Sequence, residues 1–161
     1  IDYAHSDVRS SEVDLVAIAT ARAMIATLSG PVSVASAFGT PTIHTNGFAS
    51  TLHATPRDIW LPKLYRERVG GRLLSLAEMI DTPFRGEIPG SGFDDYGVDL
   101  VPNTPEDLAE ATDEFLDRLE GRVPADDPAI EGIFARTGNL FIAPISASFL
   151  ARHRSALLPG S

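Results

Sequence analysis

This sequence predicts an α/β domain in which helices cover a parallel sheet. Three observations carry the prediction. Short apolar runs of strand length alternate with stretches of helical period. The segment from Ala26 to Asn46 reads as strand, glycine turn, short helix, second glycine turn and second strand. A further helical stretch lies directly before it. Parallel neighbours need a crossover connection, so close alternation of this kind argues against simple hairpins.

Taken in order, Ser10 or Ser11 can cap a first helix, with Val13, Val16, Ala17 and Ala21 spaced onto one face. Met24, Ile25 and Ala26 run apolar into Ser29-Gly30-Pro31. Val32 to Phe38 then gives about two helical turns. Gly39-Thr40-Pro41 ends that helix before a second strand at Thr42-Ile43-His44. From Gly47 to Lys63 the pattern lapses into a loop containing Pro56 and Pro62, and Leu64 to Arg68 follows as a helical turn. Ser75 and Glu78 have capping-box spacing in front of Met79 and Ile80, which predicts a short helix. Asp81 to Asp95 is rich in proline and glycine and has no period, so it reads as a surface excursion. Val98 to Val101 reads as a strand.

The strongest element follows. Thr104 is an N-cap, Pro105 takes the first helical position, and Glu106 and Asp107 place negative charge in the first turn. Leu108, Ala111, Phe115 and Leu119 recur at three- and four-residue spacing until Gly121 stops the helix. Arg122 to Pro128 is a polar linker. C-terminal helices occupy about 129–158, at Ile130 to Phe134 and Ser146 to Leu158, with Phe149, Leu150 and Leu157 as the packing face of the last.

Composition bounds the function classes. A chain of 161 residues with 43% hydrophobic and 22% charged residues can bury one sizeable core, so a single domain over 1–161 is expected. Without cysteine there is no disulfide scaffold and no thiolate zinc site. The net charge of −9, with Lys63 the single lysine, excludes a nucleic-acid partner. No apolar run is long enough to span a bilayer, and no stretch of these residues reads as a signal peptide. The opening Ile1-Asp2-Tyr3 lacks a methionine and reads like the end of a strand, as expected for the continuation of a longer protein.

The segment from Ser29 to Ser33 has the layout of an anion site. Amides at a helix start have no partner within the helix and carry the positive end of its dipole. A phosphate there can be bound without lysine, and Gly30 lets it approach the main chain closely. The same residues also make ordinary turns that bind nothing. Thr27, His44, Asn46 and Lys63 are candidate cleft residues. His44 and Asn46 lie near the carboxyl end of a predicted strand, where open parallel sheets gather ligands, and Lys63 could neutralise a phosphate or simply be solvated. His5, His44, His53 and His153 show no zinc spacing and read as surface or helix-end residues; no metal site is expected. Asp94-Asp95 and Asp126-Asp127 read as solvated acidic loops. Gly90-Ser91-Gly92 lacks the strand and helix that a dinucleotide fingerprint requires.

Several of these residues together carry a resemblance. Ile1-Asp2-Tyr3, Asp14-Leu15, the Ser29-Gly30 turn with its helix and Phe38-Gly39-Thr40-Pro41, Asn46, and Asp58-Ile59-Trp60-Leu61-Pro62-Lys63 are among them. So are Leu74 to Met79, Asn103-Thr104-Pro105-Glu106 and the closing Phe149-Leu150 with His153. In this order and spacing the chain resembles, nearly end to end, the C-terminal part of a bacterial glycosyltransferase family of surface-polysaccharide loci. The Ser29 to Pro41 segment is also similar to the donor-phosphate loop of the heptosyltransferases. The resemblance implies a Rossmann-like three-layer α/β/α domain, the C-terminal half of a GT-B architecture, and a fragment of a larger two-domain enzyme. It implies that Ser29, Gly30, Pro31, Val32 and Ser33 hold the diphosphate of a nucleotide-sugar donor, without metal or cofactor. The acceptor would be a bacterial surface glycan or a lipid-linked molecule, and the location cytoplasmic or peripheral at the inner membrane. An N-terminal domain would complete the cleft, and the isolated chain would catalyse little without it. Where the heptosyltransferases carry an acidic residue before the serine and a histidine three residues after the glycine, this chain has Leu28 and Ser33, so heptose is not implied. Two other readings compete: a non-catalytic α/β assembly module, which would bind no nucleotide, and a nucleotide-sugar epimerase of similar two-domain shape, which would turn over once the missing half is supplied.

Overall fold

In a computed structural model, which describes residues 3–48, 55–81, 93–125, 127–137 and 143–160, the chain is a mixed α/β protein. After a 3-10 turn at Tyr3–His5 come α1 (Ser11–Thr20), β1 (Met24–Thr27), α2 (Gly30–Phe38), β2 (Thr42–Gly47) and β3 (Ile59–Pro62). These are followed by β4 (Leu64–Glu67), α3 (Leu76–Ile80), β5 (Val98–Val101), α4 (Pro105–Leu119), α5 (Pro128–Thr137) and α6 (Ala147–Leu157). The strands β1, β2 and β3 form a parallel sheet in that order, and β4 and β5 form a separate antiparallel pair.

The predicted strand-helix-strand over residues 24–47 is present. Gly39 closes α2 in the left-handed conformation at φ 71°, the C-cap that its position predicted, and Thr42 to Thr45 pair in register with Met24 to Thr27. The capping boxes of α3 and α4 form as their spacing demands, at Ser75 with Glu78 and at Thr104 with Asp107. In α6 the packing face of Phe149, Leu150 and Leu157 is buried.

Three expectations are corrected. The segment before Lys63 is not all loop, because Ile59 to Pro62 is a strand with all four residues buried. A short apolar run covered on both faces has no alternation to reveal it, and here Pro56 precedes it and Pro62 is its last residue. Leu64 to Arg68 is not a helical turn: Leu64 to Glu67 pair antiparallel with Val98 to Val101, a partner more than thirty residues away that local propensity cannot register. Finally, the face expected on α1 is not buried. None of the helix's described residues is, and Val13, Leu15 and Val16 are all exposed.

β3 organises the core. On one side it pairs with β2. On the other, the Trp60 amide donates to the Pro144 carbonyl (2.9 Å) and the Trp60 carbonyl accepts from the Ser146 amide (3.0 Å), adding a one-residue parallel bridge at Ile145. Ser146 is also the N-cap of α6. Glu114 on α4 reaches the same place, accepting from the amides of Ala147 (3.0 Å) and Ser148 (2.9 Å) and from the Ser146 hydroxyl (2.7 Å), while Arg118 holds its other side (2.9 Å). A carboxylate on the amino end of a helix satisfies otherwise unpaired amides and the dipole together. Burial raises the Glu114 pKa, but the Ser148 amide, the Ser146 hydroxyl, the Ala147 amide and Arg118 outweigh it, so the net shift is downward.

Two consequences can be measured. A Cβ on Gly47 would collide with Nε1 of Trp60, so Gly47→Ala should destabilise the fold in urea unfolding by about 1–3 kcal/mol, the range for overpacking a closed core. With its folded pKa below the ordinary 4.5, Glu114 contributes stability that is complete above about pH 4.5 and is lost as pH falls through the folded value. Glu114→Gln should therefore cost about 1.5–3 kcal/mol at pH 7, with the gap to wild type closing as the pH drops below 4.5.

Candidate functional site

The carboxyl ends of the parallel strands bring the predicted residues into one region of the fold. Thr27 ends β1, Ser29 and Gly30 open α2 directly after it, Asn46 and Gly47 end β2, and Lys63 follows β3. This end of a parallel sheet is where α/β proteins place ligands.

The amino end of α2 is open. Ser29, Gly30, Pro31 and Ser33 are exposed, and nothing lies within 4 Å of where a Cβ on Gly30 would sit. Ser29 is the N-cap, yet its hydroxyl turns back to donate to the Thr27 carbonyl (3.1 Å) instead of accepting from the first turn of α2. By contrast, Ser10, Ser75, Thr104 and Ser146 each accept from the helix they cap. Pro31 has no amide to offer, though its ring presets the helical φ. Val32 points inward and is buried, and its amide donates to the Ser29 carbonyl (3.1 Å). The groups free to face a ligand are thus concentrated at Gly30 and Ser33.

The other candidates are placed differently. Asn46 is in the left-handed region at φ 51°, which asparagine tolerates better than most residues. It is locked to Asn103 ahead of α4. The Asn46 amide donates to Oδ1 of Asn103 (2.6 Å), the Asn103 amide donates to Oδ1 of Asn46 (2.9 Å), and Nδ2 of Asn103 donates to the Pro62 carbonyl (2.8 Å). One asparagine pair therefore ties together the ends of β2 and β3 and the start of α4. Lys63 is half-buried with its Nζ 4.6 Å from the centre of the Phe48 ring, a cation–π contact rather than a freely solvated charge.

His44 is not the surface residue that its spacing predicted. It lies within β2, 2% exposed, with Nε2 3.4 Å from Oδ2 of Asp58 and neither ring nitrogen in a hydrogen bond among the described residues. Asp58 is itself buried, and accepts from the Thr42 amide (2.7 Å) and the Thr55 amide (2.5 Å). Burial raises the Asp58 pKa; the His44 ring and the Thr55 and Thr42 amides lower it further than burial raises it.

Sequence reasoning missed Asp58, Asn103 and the partner of His153. Nε2 of His153 lies 2.8 Å from Oδ1 of Asp107, whose other oxygen accepts from the Thr104 amide (2.8 Å). The signal for Asp107 was present in its capping-box position. Its pairing with α6 was not, because nothing local links residues so far apart in sequence. Asp94 and Asp127, read as solvated, pair with Arg68 and Arg154 respectively. His53, Asp126 and Gly90-Ser91-Gly92 lie outside the described residues.

A cavity of about 620 Å³ lies elsewhere, among Ile130, Ala143, Pro144, Ile145, Leu150 and Arg154, and none of the predicted site residues lines it. Its described lining is mostly apolar, and its two arginines pair with Glu114 and Asp127. Among the described residues no three or more His, Asp or Glu side chains gather as a metal site, and no helix is long and apolar enough to cross a membrane.

No family model, no curated protein and no solved structure matches the chain.

The asparagine clamp can be tested by itself. Asn103→Ala removes the two hydrogen bonds of the Asn103 side chain at one half-buried point, leaves the bond from its backbone amide to Asn46, and should cost about 1–3 kcal/mol in chemical denaturation. Asn46→Gly keeps the left-handed backbone and should cost less. The double variant should fall short of the sum, as coupled neighbours do.

Proposed function

We propose that the chain is the donor-binding part of a metal-independent glycosyltransferase, with its parallel sheet and covering helices forming the Rossmann-like half of a GT-B enzyme. It would hold a nucleotide-diphosphate sugar at the amino end of α2 while the sugar is transferred to a surface glycan or lipid-linked acceptor. The observation that carries this reading is the open helix start. α2 begins at the carboxyl end of β1, its serine cap is turned away from its own helix, and Gly30 leaves space above the backbone. The resemblance of Ser29 to Pro41 to a donor-phosphate loop points to the same few residues.

The geometry supports a simple physical role. The helix end and the Ser33 hydroxyl offset the charge that develops on the leaving diphosphate, which reduces the need for a cation. Gly30 lets the phosphate oxygens reach the main chain. Asn46 and Asn103 tie the neighbouring strand ends together, so that part of the backbone is held before a ligand arrives. The general base and the acceptor contacts belong to the N-terminal domain of the proposed enzyme, whose location would be cytoplasmic or at the inner face of the membrane.

The test is nucleotide binding. Ligand-observed NMR against UDP, GDP, ADP, CMP and dTDP should show saturation transfer to at least one of them. Gly30→Val should abolish that signal while the far-UV CD spectrum is unchanged, since the added side chain enters open space. Ser33→Ala should weaken binding by one hydrogen bond to a charged group, about 1.5–3 kcal/mol. Equal affinity in wild type and Gly30→Val would remove the site from α2.

A further inference from the structure

Of the three asparagines in the chain, Asn46 alone is followed by a glycine. In such a pair the main-chain nitrogen of the second residue can attack the side-chain carbonyl of the first, and a glycine has no Cβ to obstruct the approach. The fold holds this pair from both sides, where β2 shifts register against β3. On one side the Asn46 amide donates to Oδ1 of Asn103 (2.6 Å), and Oδ1 of Asn46 accepts from the Asn103 amide (2.9 Å). On the other, the Gly47 carbonyl accepts from the Lys63 amide (2.9 Å), and the Trp60 indole fills the place of a Cβ on Gly47. Attack needs Cγ of Asn46 and the Gly47 nitrogen to turn into bonding contact. The side chain is tied to Asn103 and the following chain to Lys63, so the turn requires these strand ends to open.

We propose that Asn46 and Gly47 form a deamidation site that the asparagine clamp keeps closed. When the ends of β2 and β3 separate, the Gly47 nitrogen gives up its proton to solvent and bonds to Cγ of Asn46. The bond from Cγ to Nδ2 breaks, and Nδ2 leaves as ammonia. Water then opens the five-membered imide at one of its two carbonyls. Addition at Cγ releases the Gly47 nitrogen from the side chain and gives aspartate. Addition at the main-chain carbonyl of residue 46 leaves Gly47 joined through Cγ, an isoaspartate with one more carbon in the main chain.

The added carbon has a definite effect at this position. It displaces Gly47 from its place opposite Pro62 and from its close packing on the indole, in a core with no slack to absorb the change. Either product also adds a negative charge at the carboxyl end of β2, in a chain whose net charge is already −9. Refolding does not restore the amide, so a chain that has opened here stays altered. The site does not depend on the nucleotide reading.

The test is incubation of the chain in mildly alkaline buffer, followed by peptide mapping that resolves asparagine, aspartate and isoaspartate at residue 46. Wild type in native buffer should react at least about tenfold more slowly than wild type unfolded in urea, because opening the clamped strand ends costs free energy. Asn103→Ala, shown to be folded by its far-UV CD spectrum, should react about tenfold faster than native wild type, the factor that corresponds to the loss of one or two hydrogen bonds. The purified isoaspartyl chain should unfold at a lower urea concentration than the unmodified chain. Absence of product at residue 46 in urea, or equal rates in native buffer and in urea, would overturn the proposal without recourse to any variant. A folded Asn103→Ala chain that reacts no faster than wild type would overturn the role of the clamp.

Discussion

The structure depends on the complete burial of β3. Trp60 forms backbone hydrogen bonds towards residues 144–146, its ring covers Gly47 of β2, and its neighbours Ile59 and Leu61 are likewise inaccessible. In a parallel sheet the inner strands carry the apolar content and the outer elements are arranged about them. Here that constraint fixes a glycine on β2, where any side chain would collide with the indole. It also fixes the start of α6, whose N-cap Ser146 directly follows the Ile145 bridge.

Around this apolar centre, four carboxylates and amides do the joining that hydrophobic contact cannot specify. Asp58 holds the start of β2 through the Thr42 amide, Glu114 holds the start of α6, Asp107 holds His153 to α4, and Asn103 holds the ends of β2 and β3. Each is buried or half-buried and each satisfies backbone or ring donors that would otherwise be unpaired. The depressed acidities of Asp58, Asp107 and Glu114 follow from these donors, which favour the charged form more than burial disfavours it. Of the four, Asn103 alone stands at the carboxyl end of the sheet; Asp58 holds the amino end of β2, and Glu114 and Asp107 hold α6 to α4.

Much of this was legible in the sequence where the signal is local. Ser75 with Glu78, Thr104 with Asp107, and Gly39 after Phe38 are short-range patterns, and each produced the cap it predicts. What could not be read depends on distant partners. Ile59 to Pro62 looks like loop because its two covering faces come from elsewhere in the chain. Leu64 to Glu67 becomes a strand only because Val98 to Val101 is there to pair with it. Asn46 was legible as a strand-end residue but not as half of a clamp with Asn103, and His44 did not reveal its burial against Asp58. Of the candidate site, the position of Ser29 to Ser33 at a helix start was legible, while the inward turn of Val32 and the backward hydrogen bond of Ser29 required the fold.

The most direct test is amide shift mapping of the ¹⁵N-labelled chain during titration with UDP, GDP, ADP, CMP and dTDP in turn. The account predicts that the largest perturbations fall on the amides of Gly30 and Ser33 and fade along α2. Perturbations centred instead on the cavity beside Ile130 and Leu150, with α2 unmoved, would contradict it.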